Sequence, residues 1–240
     1  QAGVFLMARG ILVAPIGDCL GQVTSCGTCV REGPGLFGGK PLQDWIEALH
    51  NRDVRIRREA AQTLSDYHPY APSLVPALFD TLKDPDPEVR RLGARALGRL
   101  GDETDLAPLL QWTRDKDPAV RAAALSALGI LVSSSGDKCH PRKRMSPVPE
   151  AALSTVVEAL VDDEVAIRLA AIDSLGWIGP DAAAAAPALK DVLRDPNTSG
   201  PAFLALYNVI GPDEIWASGT QDLLPAVLRV IQRGDSWARS

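Results

Sequence analysis

Residues 86–100 read DPEVRRLGARALGRL and residues 117–131 read DPAVRAAALSALGIL, and the two segments match position by position without a gap. Residues 53–67, DVRIRREAAQTLSDY, and residues 164–178, EVAIRLAAIDSLGWI, superpose on the same frame. One arginine in each segment marks the repeat, with steps of 33, 31 and 47 residues: Arg57, Arg90, Arg121 and Arg168. A period in this range indicates a stack of similar supersecondary units, and this decides the architecture of the chain.

Each of these segments carries apolar residues at the spacing of one helix face. In residues 86–100 they are Val89, Gly93, Ala94, Leu97 and Leu100. One apolar position is always small, which predicts close approach of a neighbouring helix: Ala60, Gly93, Ala124 and Ala171. Another amphipathic stretch precedes each segment, starting in turn at Leu42, Ser73, Asp105 and Glu150. The repeating unit is therefore predicted to be a hairpin of two helices.

A short turn joins the two helices of each hairpin, and its residues are suited to starting the second helix. Asp86 is placed as an N-cap and Pro87 as the first helical residue, because a carboxylate accepts hydrogen bonds from free N–H groups and proline there has no donor to lose. Asp117 and Pro118 repeat the arrangement. We interpret the recurrent acidic residue and arginine as scaffold, in which the carboxylate caps a helix and the arginine bridges to the neighbouring unit.

Weaker copies extend the repeat toward the end of the sequence. Residues 187–194 are predicted to form a first helix, and PAFLALYNVIG from Pro201 its partner, with Gly200 where the arginine is expected. A sixth first helix and the start of its partner are predicted after them: Asp222 to about Ile231, then Asp235 to Arg239.

The chain is predicted to be all-α, a right-handed α-solenoid of the ARM/HEAT-like type with about five to six helical hairpins. The repeat domain covers residues 41–240, and residues 1–40 form a leader that is irregular or partly disordered. Residues 133–149, SSSGDKCHPRKRMSPVP, interrupt the repeats. Because this loop is long, polar and basic, it is either a plain insertion or a contact for an acidic partner or a phosphate surface.

The repeat resembles the HEAT repeat superfamily, and most closely the short repeats named after phycobilisome lyase subunits. The resemblance rests on D-P-x-V-R followed by A-A/G-x-x-L-G in residues 86–98 and 117–129, and it covers roughly residues 41–239. It implies the solenoid fold, and it says little about activity because this superfamily serves many roles. The name of the repeat also raises the hypothesis of a bilin lyase or a lyase-associated chaperone subunit.

Composition sets further bounds. Hydrophobic residues make up 46% of the chain and aromatic residues only 5%, which suits closely packed helices better than a β-sandwich. The net charge of −5 argues against a general nucleic-acid binder, which would be strongly basic. The apolar run in residues 3–16 is too short to span a bilayer and contains Arg9, so no transmembrane segment is expected.

The compartment is not decided by the sequence. Three of the four cysteines, Cys19, Cys26 and Cys29, lie in the leader and the fourth is Cys139, so no disulfide framework is indicated. The residues before Cys26 faintly resemble a lipoprotein cleavage box. A cytoplasmic protein is favoured, and an exported or lipid-anchored one stays open.

The outward face of the second helices holds the candidate binding residues, because in stacked hairpins this face lines the concave side. Three columns align on it: Arg58, Arg91, Ala122, Leu169 and Pro201; Gln62, Arg95, Ser126, Asp173 and Ala205; Asp66, Arg99, Ile130, Trp177 and Val209. One end is basic and the other apolar, which suits an acidic or amphipathic peptide. The predicted binding residues are Arg58, Arg91, Arg95, Arg99, Asp173 and Trp177.

Two plainer interpretations stand beside this hypothesis: the arginines form an ordinary solvated face, and Trp177 belongs to the core.

The sequence predicts no catalytic residue, no metal ligand and no cofactor. It contains no nucleophile elbow, phosphate loop, zinc-hydrolase helix or dinucleotide fingerprint. Cys26 and Cys29 form a single C-x-x-C pair without a second pair to complete a zinc site. The preferred hypothesis is a non-enzymatic protein–protein interaction scaffold that binds a protein or peptide. The alternatives are the lyase-related subunit and an exported or membrane-tethered interaction module.

Overall fold

The computed structural model describes residues 36–37, 39–67, 74–101, 103–133 and 147–217. Its α-helices follow the predicted hairpins: α1 Leu42–Ala48, α2 Val54–Tyr67, α3 Val75–Thr81, α4 Pro87–Leu100, α5 Leu106–Trp112, α6 Pro118–Val132, α7 Glu150–Glu158, α8 Val165–Ile178, α9 Ala186–Val192 and α10 Ser199–Ala217. Short 3-10 segments lie at Glu103–Asp105, Ala159–Val161 and Gly179–Ala185.

A small hairpin precedes the helices. Strand β1, Leu36–Phe37, pairs antiparallel with β2, Lys40–Pro41, and Gly39 between them has a φ of +84°. The ammonium of Lys40 lies 4.6 Å from the ring centroid of the buried Trp45 in α1, a cation–π contact that ties this hairpin to the first repeat.

The helices form two layers. The second helices α2, α4, α6, α8 and α10 pack on one another in chain order, whereas the first helices mainly contact their own hairpin partners. This arrangement is an all-α solenoid, as the repeats predict.

The predicted helix starts are confirmed. The Asp86 carboxylate accepts a hydrogen bond from Val89 N at 3.1 Å, and Pro87 is the first residue of α4. In the same way, Asp117 accepts a hydrogen bond from Ala119 N at 2.9 Å. These capping bonds satisfy N–H groups that have no partner inside the helix.

Glycines set the spacing between successive second helices. A Cβ on Gly98 would lie 2.5 Å from Ala127 Cα, and a Cβ on Gly129 would lie 2.6 Å from Ser174 Cα, so neither position accommodates a side chain without moving a helix. A Cβ on Gly176 would lie 3.4 Å from Ala205, which is ordinary contact. The glycine that ends each A-x-x-L-G motif therefore faces the next second helix of the stack.

The small position predicted earlier in the motif serves the hairpin itself. A Cβ on Gly93 would lie 1.9 Å from the hydroxyl oxygen of Thr81, at the end of α3. Gly93 therefore permits close packing of α4 on its own first helix, and its counterparts Ala60, Ala124 and Ala171 are fully buried.

The sequence alignment of the fifth hairpin is wrong by one residue. Asp195 O accepts a hydrogen bond from Ser199 N at 2.8 Å and its carboxylate accepts one from Asn197 N at 2.9 Å, so Asp195 takes the role that Asp86 and Asp117 have. Ser199, not Gly200, therefore occupies the arginine position. The outward columns continue in α10 through Gly200, Leu204 and Asn208, whereas the predicted Ala205 and Val209 are buried.

Several predictions lie outside the described residues. These are the leader up to residue 35 with its cysteines, the basic part of the loop at residues 134–146, and the sixth hairpin after residue 217. No helix in the described ranges is long and apolar enough to cross a membrane.

Candidate functional site

The outward columns of the second helices form one surface, which we call the second-helix face. Its members, with the corrected residues of α10, are Arg58, Gln62 and Asp66 of α2; Arg91, Arg95 and Arg99 of α4; Ala122, Ser126 and Ile130 of α6; Leu169, Asp173 and Trp177 of α8; and Gly200, Leu204 and Asn208 of α10. All are exposed or half-buried. The structure therefore places all six predicted binding residues on a common face.

The glycine contacts fix which residues of this face are neighbours. Gly129 of α6 meets Ser174 of α8, and the face residues next to this contact in sequence are Ile130 and Asp173. Ile130 therefore lies beside Asp173 on the face. Because Gly176 meets Ala205, Trp177 of α8 lies beside Leu204 of α10.

The basic end of the face is paired with carboxylates. Arg58 donates two hydrogen bonds to Asp86, at 2.9 and 2.5 Å, across the junction between α2 and α4. Arg91 donates two to Glu88 within α4, at 2.8 and 2.6 Å. A third carboxylate, that of Asp66 in α2, lies 3.5 Å from the guanidinium of Arg95 and also accepts a hydrogen bond from Gln62. This end is therefore a network of alternating charges.

These ion pairs shift the pKa values of the side chains that form them. The hydrogen bond from Arg58 is the largest cause that lowers the pKa of Asp86, and the bond from Arg91 lowers the pKa of Glu88 in the same way. The guanidinium pKa values of Arg58 and Arg91 are raised by the same bonds. All four groups stay charged at neutral pH, and each charge is matched within the network.

The apolar end of the face is open to solvent. Trp177 is 41% exposed and Leu204 is 45% exposed, and Tyr207 of α10, next to this surface, is 48% exposed. The interpretation of Trp177 as a core residue is therefore wrong. Sequence reasoning missed Leu204 because of the one-residue error in α10, and the Asp195-Pro196 pair was the signal that would have corrected it.

Asp173 lies at the centre of this apolar end. Leu169 and Trp177 are one helical turn away on either side of it, and Ile130 lies across the junction with α6. The structure gives its carboxylate no hydrogen bond or ion pair within the described part of the chain. Desolvation raises the pKa of Asp173 even though the residue is exposed, because neighbouring side chains displace part of its hydration shell.

The repeat arginines lie in the first turn of the second helices, and their guanidinium groups bind the turns that join the helices of each hairpin. Arg57 donates to Asp84 at 2.6 and 3.0 Å, and Arg90 donates to Asp115 at 3.0 and 3.1 Å, each bond reaching the next hairpin. Arg168 donates to Asp195 at 2.8 Å. The predicted scaffold role is confirmed here, although in the first two pairs the carboxylate lies two residues before the N-cap.

Arg121 breaks the pattern. Its guanidinium donates to two backbone oxygens of its own turn, Asp115 O at 3.0 Å and Lys116 O at 3.4 Å, and no carboxylate bridges to it among the described residues. The long loop inserted before α7 follows this hairpin.

Asp115 shows how the two-bond bridge from Arg90 affects the pKa of a buried carboxyl group. Burial of its carboxyl opposes ionisation, but the hydrogen bonds from Arg90 and from Asp117 N outweigh burial, and the pKa of Asp115 is lowered.

No group of three or more His, Cys, Asp or Glu side chains suited to a metal ion occurs within the described ranges.

The comparisons with known proteins agree with this architecture. A family model for HEAT repeats matches residues 42–138 and 144–206. A chain of the complex of CpcE and CpcF of phycocyanin lyase from Nostoc sp. PCC7120 is similar with a TM-score of 0.58 and 25% identity, over 76% of this chain and 68% of that chain. An engineered protein is similar in fold, with a TM-score of 0.52 and 23% identity over 80% and 86% of the two chains. No curated protein matches the chain.

Proposed function

Because this chain belongs to the HEAT repeat family, we propose that it is a non-enzymatic scaffold whose second-helix face binds a segment of another protein. The observation that carries the proposal is the pair Trp177 and Leu204, two large apolar side chains that are neighbours and exposed on adjacent second helices. Contiguous exposed apolar side chains with a polar rim are typical of protein interaction sites.

The arginine network suits the rim of such a site. Arg58, Arg91 and Arg95 have carboxylate partners and are held in position before any partner binds. Rim charges that are already paired contribute mainly to orientation and to exclusion of wrong partners, whereas aromatic and apolar anchors carry most of the binding energy. We assign the anchor role to Trp177 and Leu204 and the rim role to the arginines, with Arg99 among them.

The test compares matched variants in affinity enrichment from the native lysate with quantitative mass spectrometry. Replacing Trp177 and Leu204 with Ser is expected to lower recovery of the bound protein by at least about tenfold, since loss of an interface anchor costs about 2 kcal/mol. The control is Val161→Ser, because Val161 is 82% exposed and lies outside the second-helix face.

A rim variant, Arg95→Ala, is expected to change recovery by a smaller factor than the anchor variant. Recovery that stays the same in the anchor variant, or falls equally in the Val161 control, would contradict the proposed site.

A second candidate function is that of a lyase-associated subunit, favoured by the similarity to a chain of the CpcE and CpcF complex. A bilin that binds this protein would show a shifted and sharpened visible absorbance band when titrated with it. An unchanged spectrum at equimolar bilin would contradict this candidate and would leave the scaffold proposal unaffected.

A further inference from the structure

The charges on the second-helix face point to a partner different from the one that the sequence suggests. Three arginines at the basic end, Arg58, Arg91 and Arg95, already have carboxylate partners in Asp86, Glu88 and Asp66. An acidic segment docking there would have to displace these carboxylates, and it would gain little because each new ion pair replaces an existing one. The basic end therefore provides weak attraction for an acidic partner.

The apolar end shows the opposite balance. Its one carboxylate, Asp173, has no cation partner within the described residues. The other members of the face on α6, α8 and α10 are uncharged: Ala122, Ser126, Ile130, Leu169, Trp177, Gly200, Leu204 and Asn208. A carboxylate that loses water without gaining a partner lowers the affinity of any purely apolar ligand. A ligand that brings a cation to this point avoids that penalty.

We propose that the second-helix face binds a protein segment in which an arginine or lysine lies between large apolar side chains, with the cation paired to Asp173 and the apolar groups against Trp177 and Leu204. This inference rests on the proposed function and names its partner class. The Trp177 ring, one turn from Asp173, offers the same cation a second favourable surface through a cation–π contact. The carboxylate selects the cation, and the apolar pair selects what flanks it.

The experiment is a selection of random twelve-residue peptides displayed on phage against the purified full chain. Peptides enriched on the wild-type protein are expected to contain Arg or Lys flanked by aromatic or aliphatic residues. Their binding, measured with synthetic copies by fluorescence anisotropy, is expected to weaken about tenfold for Asp173→Asn, which keeps the shape but removes the charge.

The charge-reversed variant Asp173→Lys is expected to enrich peptides with Asp or Glu in place of the cation. Asp163→Asn is the matched control, because Asp163 is exposed in the turn before α8 and lies outside the second-helix face. Thermal unfolding of each variant establishes that the fold is retained.

The outcomes separate the two proposals. Peptide enrichment is also tested with Trp177→Ser. If enrichment depends on Trp177 but shows no preference for a cation and no dependence on Asp173, this inference is overturned and the proposed binding face stands. Enrichment of acidic peptides on the wild-type chain also overturns it. Absence of any Trp177-dependent enrichment overturns both proposals. Dimerisation that Trp177→Ser abolishes, measured by sedimentation, would show that a second copy covers the face and would likewise overturn the inference.

Discussion

The first two hairpin junctions and the last two are built from the same motif but are connected differently. Among the described residues, Arg57 and Arg90 each make a two-bond bridge to a carboxylate of the next hairpin, whereas Arg168 makes one such bond and Arg121 makes none. The second-helix face differs in parallel, since it is an ion-pair network over α2 and α4 and apolar over α8 and α10.

The difference shows which contacts the helix stack depends on. Packing of α6 on α8 is as close as packing of α4 on α6, although within the described ranges the arginine bridge is present at the α4–α6 junction and not at the α6–α8 junction. The arginine bridge therefore adds to a contact that the small residues already define. The exposed side chains of Trp177 in α8 and Leu204 in α10 are not among the atoms that meet at these glycine contacts. For this reason we assign them to binding.

The largest expected effect tests the bridges directly. Arg90→Ala leaves the buried Asp115 carboxylate without its partner, and we expect the free energy of unfolding to fall by about 3 kcal/mol or more. Among the described residues Arg121 bonds to backbone oxygens and to no carboxylate, so we expect Arg121→Ala to cost about 1 kcal/mol. Urea unfolding of both variants measures the difference, and equal losses would show that the bridge adds nothing.

The next effect concerns the glycine contacts. Gly129→Ala forces α6 away from α8, and we expect a loss of about 1–3 kcal/mol in the free energy of unfolding. Gly176→Ala meets only ordinary contact and gains helix propensity, so we expect no loss and a gain of up to about 1 kcal/mol. The same urea experiment decides, and a destabilised Gly176 variant would mean that the last junction is as tight as the others.

Smaller effects on stability are expected at two buried serines, and the two effects are expected to have opposite signs. Ser65 Oγ in α2 has no hydrogen-bond partner among the described residues, so Ser65→Ala is expected to stabilise the chain by about 1 kcal/mol. Ser174 Oγ lies 2.9 Å from Leu125 O and 2.7 Å from Ala170 O, so Ser174→Ala is expected to cost about 1 kcal/mol. Melting temperatures provide the check, and a shift of the same sign in both variants would contradict it.

The smallest effect is expected at Asp173. Its pKa is raised by desolvation, so its charged form is disfavoured in the folded state, and this penalty is present above the folded pKa and vanishes below the unfolded one. Asp173→Asn is therefore expected to stabilise the chain slightly at pH 7 and to make no difference near pH 3. Chemical unfolding at both pH values measures this, and a gain that persists at pH 3 would assign the effect to something other than charge.

Much of the fold could be predicted because it depends on local patterns. The capping roles of Asp86 and Asp117 follow from residues one to three positions away, and the hairpin order follows from the repeat. The start of α10 could not be placed correctly, because apolar residues occur throughout residues 201–211 and the alignment followed them instead of Asp195.

The charge state of the candidate site was harder to predict than its location. The columns correctly brought Arg58, Arg95 and Trp177 to one face because helical spacing fixes direction. Whether those arginines are paired depends on partners that are distant in sequence, such as Asp86, which is 28 residues from Arg58. Only the packing of α2 against α4 reveals that this carboxylate is within reach.

The close contacts at Gly98 and Gly129 also bear on how a chain of this kind can change its length. Each contact joins a glycine of one hairpin to a small residue of the next, Ala127 or Ser174, at the same place in the motif. Duplication or deletion of a whole hairpin is therefore expected to keep these contacts matched, whereas an insertion within a second helix would misalign the contacts that follow it in that helix. Extra residues are tolerated between hairpins, and residues 133–149 lie at such a place.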